Sequence, residues 1–569
     1  MGKVYNAESL SQLRYGSIMI MTDQDHDGSH IKGLLINLIH KFWPSLMQLE
    51  GFLVEFVTPI IKVFRGQACL KSFFTIPEYE SWMLGQQNTK GLKAKYYKGL
   101  GTSTAKEAKE YFTALLSHKI DFEYVDDEDM EVVDMAFNKK FADRRKQWLE
   151  TYDPVSTFVD HSQERLRYKD FVNKELILFS VADCQRSIPN LCDGLKPGQR
   201  KILFACFKRK LKGEIKVAQL SGYVAEHSAY HHGEMSLTQT IVGLAQNFVG
   251  ANNINLLEPI GQFGTRVMGG KDAASARYIF TSLSPVTRHL FNEMDDNVLT
   301  FLEEEGQVIE PAYYLPIAPL GLMNGTEGIG TGWSTFIPMF NPDDVVDNLR
   351  HMMQGFEPKR MTPWYKGYQG TIEPAEDRAK SYTCTGVYNI LSETELEITE
   401  LPIGKWTRDY KTFLEDLAQK DEIEDIREYH RENRVHFNLI VPKLMEYERQ
   451  AGGIVKKFKL QGSMSGANYV MFNAAQKIYR YGDETDILKE FFGQRESLYA
   501  QRKQYMLARL QKEYEILVNK VNFIRAVNSE TLKINRVKRK IIIRAMVDLQ
   551  LKPMSKINEI MAQFMQVGQ

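Results

Sequence analysis

Three aspartates alternate in the run Thr22-Asp23-Gln24-Asp25-His26-Asp27-Gly28. Carboxylates at i, i+2 and i+4 with a following glycine can converge on one hard cation. A calcium-binding EF-hand is the first alternative, because Asp23, Asp25, Asp27 and Gly28 match its positions 1, 3, 5 and 6. Position 12 would fall on Leu34, which cannot supply the bidentate carboxylate, and the residues before the run read as a strand rather than a helix. Magnesium suits the run better, since it keeps waters and takes one or two carboxylates together with phosphate oxygens. The plain alternative is a solvated acidic turn that caps a helix at Ser29.

A second cluster is basic. Between Arg186 and Lys216 stand nine lysines and arginines, among them Lys196, Arg200 and Lys201, against the two acids Asp193 and Glu214. Lys196-Pro197-Gly198-Gln199-Arg200-Lys201 places a turn just before an apolar helix, and backbone amides at such a start can grip phosphate. A solvated charged face is the competing reading. Tyr230-His231-His232-Gly233-Glu234 lacks the spacing of a zinc site and suits donors to phosphate or to a transition state. In residues 261–280, Gly264, Gly269 and Gly270 would let backbone approach a ligand, while Arg266, Lys271 and Arg277 supply positive charge. Tyr278 follows Arg277. A phenol is a poor nucleophile without nearby cations and a base, and a tyrosine before Ile279-Phe280 is more often packed. Its combination with a carboxylate metal site makes it a candidate. Asn324 to Trp333 is glycine-rich without a Walker ending, and Ile329 on that loop could wedge between base pairs.

These groups need elements to position them. Ser17–Met21 reads as a short buried strand, and Ile31, Leu34, Leu35, Leu38, Ile39 and Phe42 repeat at helical spacing after it. Phe52 to Val63 is strand-like, and Thr104 to Leu116 reads as a helix capped at Thr102 or Ser103. Residues 125–165 read as a charged, solvated connector with some helix. Residues 171–320 read as helix-rich and 321–485 as α+β, with strands around Glu395–Ile398 and Val435–Val441. From Asp486 to about Val527 one long helix is expected, because Leu507, Leu510, Tyr514, Leu517, Val521 and Ile524 follow a heptad spacing. A basic stretch, Lys533 to Arg544, comes after it.

The 569 residues are 43% hydrophobic and 25% charged, an ordinary globular mix for several domains. With 72 basic and 72 acidic residues the net charge is zero, so any nucleic-acid binding must come from local clusters. Five cysteines without a C-x-x-C pair suggest reduced thiols rather than a disulfide frame or zinc site. No apolar run is long enough to span a membrane.

The segments MTDQDHDGSHIKG, KYYKGLGTSTAKEAKEYF, DGLKPGQRK, KVAQL, AYHHGE, LAQNFVG, GQFGTR, GGKDAASARYIFT and NGTEGIGTGWST occur in the order found in eukaryotic DNA topoisomerase II. The sequence resembles that family over nearly its whole length, most densely across residues 14–335. The resemblance implies a multidomain α/β and α+β chain. Residues 1–150 would be a Rossmann-like TOPRIM metal-binding domain, 151–170 a linker, and 171–320 a winged-helix DNA-cleavage domain. Residues 321–485 would be a tower domain, 486–528 a coiled-coil arm, and 529–569 part of a C-terminal gate. Asp23, Asp25 and Asp27 match metal ligands, and Tyr278 the nucleophile that joins a DNA 5′-phosphate, with Arg277, His231 and His232 beside it. Lys98, Arg186, Lys196, Arg200, Lys201 and Lys271 match DNA-contacting positions, and Ile329 the residue that intercalates.

The resemblance further implies Mg2+, for which Mn2+ or Ca2+ can substitute. It implies double-stranded DNA as substrate, a homodimer or a heterodimer with a full-length topoisomerase II, no membrane, and a nuclear, chromosome-associated location. The family's acidic residue in an EGDSA-like turn has no counterpart here, nor has its ATPase, so ATP would act only through an N-terminal domain outside these residues. Two expectations follow: a catalytic cleavage core, or a non-catalytic, partner-dependent chromosome-binding paralogue.

Overall fold

The structure, a computed structural model, describes residues 4–559 except 87, 98, 155, 160–162, 305, 376–379 and 432. It divides into two compact units, one made of residues 1–187 with 329–334, the other of 188–328 with 335–569.

In the first unit, strands Ile18–Ile20, Leu53–Phe56, Lys119–Glu123 and Arg165–Arg167 form one sheet in that order. The outer pairs are parallel and the central pair is antiparallel. Ile20, Leu53, Ile120, Phe122 and Leu166 bury their side chains beneath it with Ile36, Ile39, Val133 and Phe171 from the flanking helices. Strand Arg165–Arg167 and helix 168–187 therefore belong to this unit, which extends the expected first domain past residue 150 and absorbs the expected linker. Nor is 125–165 a plain solvated connector. Helix Asp127–Phe137 carries a fully buried Asp129, which accepts from the Arg167 guanidinium at 2.9 Å and from the amide of Lys169 at 2.8 Å. A second sheet centres on Ile61–Arg65, flanked by Ala68–Phe73 and Leu92–Tyr96.

Helix His26–Phe42 forms where the spacing predicts it, but with a different face inward. Lys32, Gly33, Ile36 and Ile39 are buried, whereas Ile31, Leu34, Leu35 and Leu38 are exposed. The reason is a glycine and a salt bridge. Gly33 lies where a Cβ would meet Phe137 at 2.8 Å, so the helix packs closely there. The Lys32 ammonium, 2.7 Å from Glu55 and also paired with Glu175, can be buried because two carboxylates compensate it.

The second unit begins with helices Pro197–Arg209, Val217–His227 and Glu234–Ala245 packed together around Leu203, Val217, Leu220, Ile241 and Ile279. Strand Ile215–Lys216 pairs with Phe280–Thr281 beside them. Farther along, Val387–Ile390, Glu395–Glu400, Phe437–Ile440 and Asp425–Glu428 form a four-stranded sheet in that order, covered by helix Thr407–Ala418. Alternating burial along Glu395–Glu400 matches the period-2 pattern of its sequence. The long helix runs from Glu484 to Asn528, capped by the Asp483 carboxylate on the amide of Thr485 at 2.9 Å. The heptad residues Leu507, Leu510, Tyr514, Leu517, Val521 and Ile524 are all exposed on it.

Candidate active site

In the first unit the acidic turn joins strand Ile18–Ile20 to helix His26–Phe42. Asp25, rather than a residue at Ser29, is the N-cap, and its carboxylate accepts from the amide of Gly28 at 2.7 Å. Asp23 accepts from the amide of Leu100 at 2.7 Å. That second contact explains the glycine of the KGLG segment. A Cβ on Gly99 would lie 2.9 Å from the Asp23 carboxylate, and one on Gly28 would lie 1.9 Å from the Asp23 carbonyl oxygen. Only glycine lets both chains close on this aspartate. Asp27 meets the Arg186 guanidinium at 3.0 Å. Lys98 lies outside the described residues.

The three carboxylates do not converge on one point, and among the described residues no group of three His, Cys, Asp or Glu is placed to hold an ion. The expected three-carboxylate cage is therefore corrected: cap, loop and ion pair each turn one aspartate in its own direction. The donors still fit a magnesium-type ion. Asp23 and Asp25 are exposed, hard oxygen ligands on one turn, and the cap and the Leu100 contact commit one oxygen of each. An ion that keeps part of its water shell needs no more than one or two carboxylates.

The loop that brings Leu100 to Asp23 is itself tied down. Helix Ala105–Thr113 begins with a capping box between Thr104 and Glu107, so the cap is Thr104, one or two residues beyond the expected positions. Burial opposes charge on Glu107. Hydrogen bonds from Tyr97, from the Thr104 amide and hydroxyl, and from Lys95 outweigh it and lower the carboxyl to about 2.

Beneath the turn, the Ser29 hydroxyl donates to Glu175 at 2.7 Å. Glu175 sits in a π-turn, Val172–Leu176, within the helical run 168–187. Burial alone would discharge Lys32, but Glu175 and Glu55 raise its pKa above the ordinary lysine value. The same run carries Asp183, which accepts from the Thr331 hydroxyl at 2.9 Å, and Cys184, whose thiol lies 3.2 Å from the Thr331 carbonyl. A Cβ on Gly330 would meet the Cα of Cys184 at 3.1 Å. The loop after Ile329 is thus anchored, while Ile329 itself is 79% exposed.

In the second unit Tyr278 is 66% exposed, with the Arg277 guanidinium 4.8 Å from its ring centre. Local geometry explains the exposure. The first amides of helix Val217–His227 have no partner within the helix. Val217 donates instead to the Ile279 carbonyl and Ala218 to the Ala276 carbonyl, both at 3.1 Å. Ile279 is buried in the core. Clamped on either side, Arg277 and Tyr278 project outward.

Lys271 is exposed, and so are His231 and His232. The His231 imidazole lies 2.9 Å from the Glu304 carboxylate, and His232 packs edge-on against Tyr230. Lys196 donates to the Glu327 carbonyl at 2.6 Å, and burial lowers its pKa.

Three expected cations are corrected. Arg200 is buried and paired with Asp193 at 2.7 Å, and Arg266 is buried against Glu400. Lys201 is largely buried between Glu310, at 2.9 Å, and the Ser228 carbonyl. Each has its charge compensated inside the unit, which a positive count along the sequence cannot reveal. The glycines of 261–280 also serve packing rather than a ligand. A Cβ on Gly264 would strike Gly270, one on Gly269 the Trp406 ring, and one on Gly270 the Gln246 amide.

An acidic turn in one unit and an exposed Arg-Tyr pair beside three packed helices in the next are what a TOPRIM-plus-cleavage-domain protein combines. Residues 186–566 match the family model described as DNA gyrase/topoisomerase IV, and residues 56–184 match the C-terminal associated domain of TOPRIM. The chain belongs to the DNA topoisomerase II family. It is 51% identical over 563 residues to DNA topoisomerase 2 of Plasmodium falciparum, covering 98% of this chain and 40% of that protein. It is 52% identical over 539 residues to DNA topoisomerase 2 of Arabidopsis thaliana, covering 94% and 36%. The crystal structure of the Plasmodium falciparum topoisomerase II DNA-binding, cleavage and re-ligation domain superposes with a TM-score of 0.79 at 51% identity, covering 96% of this chain and 75% of that one. The chain thus spans less than half the length of these curated relatives.

Proposed function

We propose that this chain is a type II topoisomerase core that cuts and reseals double-stranded DNA through a 5′-phosphotyrosine. One observation carries the reading: Tyr278, next to Arg277, is held exposed by a clamp of buried backbone contacts. The Tyr278 oxygen attacks a phosphodiester phosphorus and releases its proton, and the P–O bond to the 3′ oxygen breaks, leaving a 3′ hydroxyl and a 5′-phosphotyrosine. The reverse attack reseals the strand without external energy, because the ester bond is conserved. Arg277 steadies the charge that builds on the phosphoryl oxygens. Lys196, Lys271, Arg186 and the two histidines take backbone phosphates, and Ile329 wedges into the duplex. Mg2+ held by Asp23 and Asp25 supplies further charge stabilisation when bound.

One tyrosine cuts one strand, so a duplex break needs two chains related by a two-fold axis. The exposed heptad seam of helix Glu484–Asn528 suits the coiled-coil arm, 335–485 a tower, and 529–569 part of a gate. The acidic ligand that residues 1–569 lack would stand on a strand beside Ile18–Ile20, whose one partner among the described strands is Leu53–Phe56. ATP coupling belongs, on this reading, to sequence outside the 569 residues, and the location is nuclear.

The test is trapping. The chain is incubated with duplex DNA and Mg2+, denatured, and assayed for protein-linked DNA. A covalent adduct that disappears in Tyr278→Phe supports the reading. A dimeric chain that binds DNA but forms no adduct leaves the non-catalytic, chromosome-binding alternative.

A further inference from the structure

Three arginine–carboxylate pairs in the chain invite comparison. Arg200–Asp193 has side chains 7% and 0% exposed, and Arg266–Glu400 has side chains 4% and 2% exposed. Breaking such pairs leaves a buried charge. Arg186–Asp27 differs, with side chains 35% and 46% exposed, although its geometry is the bidentate fork of a strong pair at 3.0–3.1 Å. Either partner can be exchanged for a solvated ion at small cost. The Arg186 guanidinium lies 5.5 Å from the Phe179 ring centre and sits at the end of its helix, two features that give it a resting place and room to swing. Three residues before it, Asp183 holds the loop that follows Ile329.

We infer that Arg186 is an exchangeable internal counter-ion: it neutralises Asp27 in the DNA-free chain and gives it up when the guanidinium is drawn to a phosphate, leaving Asp27 to a divalent cation. This rests on the reading of the acidic turn as a metal site. Arg186 is thereby a positioning residue. It makes the negative charge of the turn, and hence cation affinity, depend on whether DNA is present. Because Asp183 and Arg186 share one helical turn, the wedge loop and the counter-ion move on the same element.

The experiment titrates Mn2+ into the full 569-residue chain without DNA and reads free Mn2+ by its electron paramagnetic resonance signal. Arg186→Gln removes the competing charge and binds Mn2+ roughly threefold or more tighter than wild type. Arg186→Lys keeps the charge, loses the fork, and falls between. In an Asp27→Asn background the gain from Arg186→Gln vanishes. If Arg186→Gln and wild type bind Mn2+ measurably and equally, or if Arg186→Gln binds more weakly while Arg186→Lys matches wild type, the counter-ion role is wrong and the metal site stands. If no variant binds Mn2+, the metal reading itself falls and takes the inference with it.

Discussion

The acidic turn of the first unit is fixed by contacts that stay within reach of water: a helix cap, one loop amide and the half-exposed Arg186–Asp27 pair. The tyrosine loop of the second unit is fixed by contacts shut away from it: the carbonyls of Ala276 and Ile279 on a helix start, glycines in contact with Trp406 and Gln246, and buried arginine pairs. The contrast suits the chemistry. A nucleophile must present one oxygen along one line of attack, so its support is rigid. A metal turn must accept and release ions, so its contacts are ones that a hydrated cation or a phosphate can replace.

Substitutions that break the buried side of this comparison have the largest expected effects. Asp193→Asn strands the Arg200 guanidinium inside the second unit and lowers stability by about 3–5 kcal/mol in urea unfolding. On the first unit's side, Glu107→Gln weakens the contacts from Tyr97, Thr104 and Lys95 and costs about 1–2 kcal/mol at pH 7. The pH dependence has a definite sign. The Glu107 carboxyl is held near 2 in the fold, below its ordinary 4.5, so its contribution is complete above about 4.5 and drains away as pH falls toward 2. Thermal melts from pH 6 to pH 2 show a steeper loss for wild type than for Glu107→Gln.

Gly99→Ala sharpens the comparison differently. It sets a methyl against the Asp23 carboxylate, so Mn2+ affinity falls roughly tenfold while unfolding shifts by no more than about 1 kcal/mol. The smallest change is expected for Asp27→Asn, within about 0.5–1 kcal/mol, because an exposed pair contributes little to folding. A loss as large as that of Asp193→Asn would show the two regions to be held alike.

Much of this was legible from residue types and spacing. Strand Ile18–Ile20, the helix after the acidic turn and the 45-residue helix Glu484–Asn528 lie where apolar periodicity and caps put them. Periodicity could not say which face of helix His26–Phe42 turns inward, because the decisive contacts are long-range. Glu55 and Glu175 bury Lys32, and Phe137 packs over Gly33. The same limit misassigned Arg200, Lys201 and Arg266, whose partners Asp193, Glu310 and Glu400 are distinguishable from other acids only once the chain is folded. Leu100, whose amide holds Asp23, was invisible for another reason: a backbone donor leaves no mark on residue type. Its one signal is the pair of glycines around it, Gly99 and Gly101.

The most direct measurement of the central claim is mass spectrometry of the peptide that remains attached to DNA after Mg2+-dependent cleavage and protease digestion. The account predicts one tryptic peptide carrying a nucleotide 5′-phosphate on Tyr278, lost in Tyr278→Phe. A nucleotide on another residue, or an attachment through the 3′ end, would contradict it.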